Sequence, residues 1–381
     1  MKIKKVLSLV LSLALLTSLL TACGSTQGGT SANGGTVGSV ESNQSQEENK
    51  DIAFDAEENT IRFAVQPGTI RTAINILASE LGYYEEEGVN VEFVNAAGTD
   101  ALAAITTNKK DIDVLGTGIV PDLTFIANGS DLVVFEGTAA EGGAIISKAG
   151  EEDRYKDLQN YAGITAAMMR GSSSWVITRA KLVEAGVDVD SIKLLEVDSQ
   201  ANVAQAVAKG EAELGFLPID YAIATLDVGT AVVYEVGELD PLYVCCRQVT
   251  SSKKLEEKHD AFVKFSIANL RAWEYYEDEA NRDEIVKILA DYSGQTEEYV
   301  TNYLFVNRTI LTLDPNEKGV ITFYDSLSNS GYFDGSAVDI SEHIDTSVYA
   351  EALQEVLNRY PDDAFFQEQL NIYREYNTAL I

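Results

Sequence analysis

From Ile61 onward the chain alternates between two hydrophobic periods. "IRFAV" at 61–65 is a short apolar run closed by Gln66, Pro67 and Gly68, and it predicts a strand. Over 70–82, Ile70, Ala73, Ile74, Leu77 and Leu81 recur near helical spacing, and Gly82 supplies the stop. The alternation continues with a strand at 89–95 and a helix at 98–110 opened by Thr99 as N-cap. A strand follows at 112–117, then a helix at 121–129 begun by Pro121, then a strand at 131–138. Strands and helices in such short steps predict a doubly wound α/β layer.

The pattern then restarts. Strands are predicted at 163–168, 192–197, 212–219 and 230–236, with helices at 174–187 and 201–210 between them. This is a second α/β lobe over 144–236. "LYVCCR" at 242–247 reads as a further strand returning to the first lobe. Five helical segments between 260 and 361 then extend that lobe. The expected fold is α/β, with two doubly wound lobes joined by crossing strands. Lobe 1 comprises 59–143 and 237–381, and the ligand cleft lies between the lobes. In open α/β sheets ligands bind beyond the carboxyl ends of the strands. The segments of interest are therefore 66–71, 116–121, 138–142, 170–175 and 218–221.

The N-terminus adds an address. Lys2, Lys4 and Lys5 precede an apolar run from Val6 to Leu20, followed by Thr21, Ala22 and Cys23. The run is shorter than the roughly 20 residues of a spanning helix. It reads as a signal peptide over 1–22. Its Leu-Thr-Ala-Cys end resembles a bacterial lipobox, which implies lipidation of Cys23. Residues 23–58 are rich in Gly, Ser, Thr, Asn and Gln, then in Glu, and read as a flexible tether. The expected location is the outer face of the cytoplasmic membrane.

The net charge of −32 over 381 residues argues against nucleic acid, whose phosphates need Lys and Arg. His259 and His343 have no second ligand at metal spacing, so no metal is expected. No P-loop or G-x-S-x-G occurs, and neither a cofactor nor an enzymatic activity is expected. Cys245 and Cys246 sit side by side on a strand, which predicts opposite faces and small apolar roles.

The chemistry concentrates in the loops. In "RGSSSW", Gly171 permits close backbone approach, while Ser172, Ser173 and Ser174 offer hydroxyls beside the unpaired N–H groups of a helix start. Arg170 could add charge. The competing reading is a simple helix cap. Gly116 and Thr117 in "GTGIVP" and Gln66 and Thr69 in "QPGTIR" are further ligand candidates, with Arg71 either at the cleft or on the surface. Thr138 and Glu141 follow a strand, as do Asp220 and Tyr221. Trp175 reads as either a cleft wall or core.

Several phrases, in order, carry a likeness. "LGYYEEEGVNVEFVNAAGTDALAAITTNKKDIDVLGTG" resembles the opening of the substrate-binding proteins of nitrate, sulfonate and taurine ABC importers. "RGSSSWVITRAKLVEAGVD" resembles their second-lobe loop and helix, "AVAKGEAELGFLPIDYA" a later segment, and "HIDTSVYAEAL" a C-terminal one. The likeness spans about 60–355. It implies a type II periplasmic binding protein, expected as a monomer, that closes on a small molecule and delivers it to ABC permease and ATPase subunits. A sulfonate-, taurine- or nitrate-like anion is favoured. The superfamily also includes binders of thiamine-pyrimidine precursors and riboflavin, so a heteroaromatic ligand is the alternative, and a ligand-sensing lipoprotein without an importer is another. The family's frequent tryptophan before Pro218 is absent; Phe216 and Leu217 stand there.

Overall fold

The structure is a computed structural model that describes residues 57–65, 68–96, 98–109, 111–306 and 309–379. Eleven strands are found among these residues: β1 (Thr60–Val65), β2 (Asn90–Asn95), β3 (Val114–Gly118), β4 (Val133–Ala140), β5 (Gly143–Lys148), β6 (Thr165–Met169), β7 (Lys193–Val197), β8 (Leu214–Pro218), β9 (Thr230–Glu235), β10 (Val244–Thr250) and β11 (Ile310–Leu311). They form two sheets, in the orders β11-β4-β10-β3-β1-β2 and β7-β6-β8-β5-β9. β1 is parallel to β2 and β3, and β6 to β7 and β8. β10 runs antiparallel between β3 and β4, and β5 antiparallel between β8 and β9. The parallel pairs are linked by helices because a parallel return needs a long crossover. The described residues belong to one compact unit.

Helices cover both faces of the first sheet. Phe63 and Phe135 on one face meet Phe262 and Phe265 of the helix His259–Glu277, and all four are buried. Burying each ring contributes about 1.5–3 kcal/mol. On the other face Leu115 and Val134 join Leu102 and Ile105 of Gly98–Thr106 and Leu123 and Ile126 of Ile119–Ala127. The second sheet rests its Ile146, Ala167 and Leu217 on Val203 and Val207 of the helix Gln200–Lys209.

The chain passes between the sheets at residues 141–142 and 236–243, and these two segments are bonded to each other. The Glu141 N–H donates to the Tyr243 carbonyl (3.1 Å), and the Leu242 N–H donates to the Glu141 carboxylate (2.8 Å). Glu141 and Leu242 are both left-handed, at φ +57° and +59°. That conformation costs an L-residue roughly 1–2 kcal/mol, so the crossing is a strained strap fixed by its own hydrogen bonds.

Several local expectations change. Thr99 lies inside its helix rather than capping it, and that helix ends at Thr106. "GAIISK" at 143–148 is the interior strand β5, buried from Gly143 to Ser147, a run that no alternating pattern marks. A helix Ala364–Tyr376 follows the last one expected. The segment expected as one helix over 296–307 divides into Glu297–Thr301 and a π-turn over Asn302–Val306.

Candidate functional site

A cleft of about 220 Å³ opens between the two sheets. Gly118 and the helix Ile119–Ala127 line it from the end of β3, and Ala139 and Glu141 from the end of β4. Gly171 to Ser174 reach it after β6, Pro218 to Asp220 after β8, and Cys245 and Cys246 from the start of β10. Arg71, Gln200, Tyr303 and Thr309 complete the lining. Ligand pockets for drug-sized molecules run from roughly 300 to 1,000 Å³. This cleft suits a smaller solute.

The three serines are divided by geometry. Ser172 is the N-cap of Ser173–Glu184, its hydroxyl accepting from the Trp175 N–H at 3.4 Å. Ser174 is buried and donates to the Leu217 carbonyl at 3.3 Å. The Ser173 side chain sits beside the Cys245 sulfur in the cleft. The first N–H groups of this twelve-residue helix point the same way, with the positive end of its dipole. Gly171 is left-handed (φ +78°) and stands opposite Val120 and Tyr332. A Cβ there would lie 3.3 Å from the valine and 3.1 Å from the tyrosine hydroxyl. The two sheets' loops are that close at this rim.

Arg71 supplies the positive charge. Its backbone N–H is held by the Thr69 hydroxyl (3.2 Å). Much of the residue is exposed, but its guanidinium reaches inward. The negative forms of Cys246 and Tyr303 beside it raise its pKa, against the effect of burial. Asp220 faces it from the second sheet. Burial pushes the Asp220 carboxyl up, while the Tyr221 N–H and the charge of Arg71 draw it back. A cation on one wall and a carboxyl on the other can hold a solute by both ends. Asp122, on the helix Ile119–Ala127, is fully buried with neither carboxylate oxygen hydrogen-bonded. Burial first, and then the charge of Cys246, raise its pKa well above the usual carboxylate range.

The cysteines depart in part from expectation. Cys246 is a buried member of the apolar core, as expected, but both residues also border the same cleft, with their sulfurs 3.5 Å apart. The cause is a β-bulge. Val244 pairs with Ala140 and Cys246 with Ala139, so Cys245 is an extra residue and the alternation of faces breaks. A second irregularity follows at once, with Cys246 on Ala139 and Arg247 on Gly137, which leaves Thr138 as the extra residue on β4. Arg247, fully buried, holds the distortion by donating to the Cys246 carbonyl (2.7 Å), the Ala139 carbonyl (3.2 Å) and the Pro315 carbonyl (2.9 Å). One residue on, Gln248 donates to the buried Glu136 carboxylate (2.8 Å), which also accepts from Asn269 (2.9 Å).

Other candidates lie elsewhere. Gln66 and Cys23 fall outside the described residues. Thr69 positions Arg71 without lining the cleft. Gly116 faces inward, where a Cβ would meet the Thr72 methyl at 2.9 Å. Thr117 pairs with Arg247 in the sheet. Thr138 is buried with its hydroxyl unbonded. Arg170 and Trp175 border a separate hollow with Arg179 and Tyr332. Trp175 is buried edge-on against Phe216. Tyr221 is exposed beside the cleft, not in it. Glu141 does line the cleft, but its carboxylate is also bonded within the strap. Sequence reasoning missed Gln200, Tyr303 and Thr309. Tyr303 is delivered by the π-turn, and no local pattern signals that.

By sequence, residues 70–281 match the family model described as NMT1/THI5 like, and the chain belongs to this family. No curated protein matches it. The fold is that of periplasmic binding proteins. The ligand-binding component of an ABC-type import system from Staphylococcus aureus, solved with zinc bound, superposes with a TM-score of 0.61 at 16% identity, covering 77% of this chain and 99% of that one. The periplasmic aliphatic sulphonate binding protein of Escherichia coli gives 0.59 at 20% identity, with 76% and 92% covered. The periplasmic nitrate-binding protein of Synechocystis PCC 6803 gives 0.59 at 16%, with 78% and 89% covered. At these identities the likeness shows a shared fold. Among the described residues no helix is long and apolar enough to cross a membrane.

Proposed function

We propose that this member of the NMT1/THI5-like family is an extracytoplasmic solute-binding lipoprotein of an ABC importer that captures a small molecule bearing an acidic group. The observation that carries the reading is Arg71. It is the one cationic side chain among the described residues of the cleft lining, and it faces the Ser173 hydroxyl and the N-terminal end of Ser173–Glu184 across about 220 Å³. A carboxylate or sulfonate there would accept charge-assisted hydrogen bonds, which are roughly twice as strong as neutral ones. Asp220 opposite would receive an amino group, so a zwitterion fits better than a bare anion. Tyr303 is the only aromatic residue of that lining, which gives a heteroaromatic ring little to stack on. The sulphonate- and nitrate-binding neighbours support the same chemistry by their names.

In this reading residues 1–22 are removed and Cys23 carries the lipid, with 23–58 as the tether. Lobe 1 is 59–143 with 237–381, lobe 2 is 144–236, and the strap at Glu141 and Leu242 is the hinge. The loaded protein acts as a monomer on a permease. A thermal-shift screen against taurine, methanesulfonate, nitrate, acetate, glycine, a thiamine-pyrimidine precursor and riboflavin tests the ligand class. A ligand at 100 times its Kd stabilises by about 2.7 kcal/mol. Stabilisation by riboflavin or the pyrimidine, with no response to any acid, would overturn the acidic-ligand reading.

A further inference from the structure

Two thiols in direct contact in a solute cleft need an explanation that solute capture does not give. The sulfurs of Cys245 and Cys246 lie 3.5 Å apart, and no disulfide joins them. The bulge at Cys245 turns both the same way, and buried Arg247 pins it from behind. Cys246 is buried and Cys245 half-buried, and both line the open cleft. Arg71 stands beside Cys246, and Ser173 beside Cys245.

We propose that Cys245 and Cys246 are a redox-sensitive dithiol of the cleft, closed into an intrachain disulfide by exchange with a small-molecule disulfide, and that closing it releases the Arg71 guanidinium for the acidic group of a solute. The second half rests on the role of Arg71 given above; the first does not.

The exchange runs through the more accessible sulfur. Cys245 passes its proton to Cys246 across their contact and attacks one sulfur of the small disulfide, expelling a thiolate. Cys246 then yields that proton to the expelled thiolate, attacks Cys245 Sγ as thiolate and expels the second thiolate, which takes a proton from water. Starting from one thiol and one thiolate, the protein loses two electrons and one proton, and the small disulfide is reduced to two thiols. Contact with Cys245 comes first among the causes that lower the Cys246 pKa, followed by the charges of Arg71 and Arg247 against burial, and the same contact raises that of Cys245. One negative charge shared by the pair is therefore favoured, next to Arg71.

Adjacent Cα atoms are about 3.8 Å apart, short of the roughly 4.4–6.8 Å usual for a disulfide. The bond is therefore strained, and strained disulfides are the reducible, responsive ones. Compartments outside the cytoplasm, where the neighbours of this fold reside, are where such exchange persists. Arg71 and Cys246 line the same cleft, so a thiolate at Cys246 would serve Arg71 as an internal anion, and oxidation would remove that charge.

The test uses the full chain and oxidised glutathione, and needs no solute. After exposure, acid quench and iodoacetamide alkylation, peptide mapping should find one bond between Cys245 and Cys246, reversed by dithiothreitol. C245S and C246S should each carry a glutathione adduct instead. Phenylglyoxal labels free guanidinium groups. Its rate at Arg71, read in the same map, should rise about tenfold on oxidation, as expected for losing one charged contact, and C245S/C246S should show the fast rate without oxidant. Thermal melts verify that each species is folded. Free thiols or two glutathione adducts in folded wild type would overturn the bond. So would a chain that unfolds when bridged. A bridged, folded chain with unchanged Arg71 labelling would overturn the release. Failure of the acidic-ligand reading would leave these readouts untouched, because none involves a solute.

Discussion

Replacing Arg71 by glutamine removes the charge on which the functional reading depends and keeps much of the side chain's reach. The perturbation is local. The residue is partly exposed with its guanidinium in the cleft, and its neighbours there are Cys246 and Tyr303 rather than a carboxylate bonded to it. Surface substitutions of this kind usually change stability by within about 0.5 kcal/mol. A hydrogen bond to a charged group is worth about 1.5–3 kcal/mol. The affinity for an acidic solute should therefore fall on the order of 10- to 150-fold, while the urea midpoint stays almost where it was. Lysine at the same place keeps the charge but loses the planar fork, so R71K should fall between the two. Calorimetric titration with the acid that gives the largest thermal shift, alongside a urea melt of the same preparation, measures both quantities. Ionic strength gives a further check, because the wild-type affinity should weaken with salt more steeply than that of R71Q. An unchanged Kd in folded R71Q would refute the reasoning and place the acidic group elsewhere, with the helix end at Ser173 next in line.

The remaining expectations separate the other parts. S173A should weaken binding of the same acid by several-fold or more with little loss of stability, whereas S172A should cost about 1 kcal/mol of stability as a lost cap and leave affinity nearly unchanged; the same pair of assays reads both, and the reverse pattern would assign the serines to the opposite jobs. Burial pushes the Glu136 carboxyl from 4.5 up to about 8. The folded state thus keeps a proton that the unfolded chain releases. That contribution is complete below about pH 4.5 and is lost as pH rises to about 8, at about 1.4 kcal/mol per pH unit. Urea melts across this window should show a shallower decline for E136Q than for wild type, and parallel slopes would mean Glu136 is ionised in the fold. Cys23→Ala should leave an unprocessed precursor that fails to partition with membranes as the mature protein does; normal processing would sink the lipid-anchor reading.

What the linear chain determined here is what period and punctuation can carry. The apolar runs at 61–65 and 131–138 and the helical spacing over 70–82 fix element type, because burying one face of each is the dominant gain and each period permits one kind of element. The loops after those strands were also legible. Gly118, Glu141, Gly171 to Ser174 and Asp220 come together because both sheets present their carboxyl ends to one cleft. Tertiary structure alone decided the rest. β5 is buried on both faces, so no alternation marks it. Cys245 and Cys246 share a face because a bulge, held from behind by Arg247, overrides strand periodicity. Tyr303 arrives from some 230 residues beyond Arg71 by way of a π-turn. That Arg71 lines the cleft beside Cys246 and Tyr303 follows from neighbours that only the fold brings to it. Local sequence sets which face a residue can present, and long-range packing sets what that face meets.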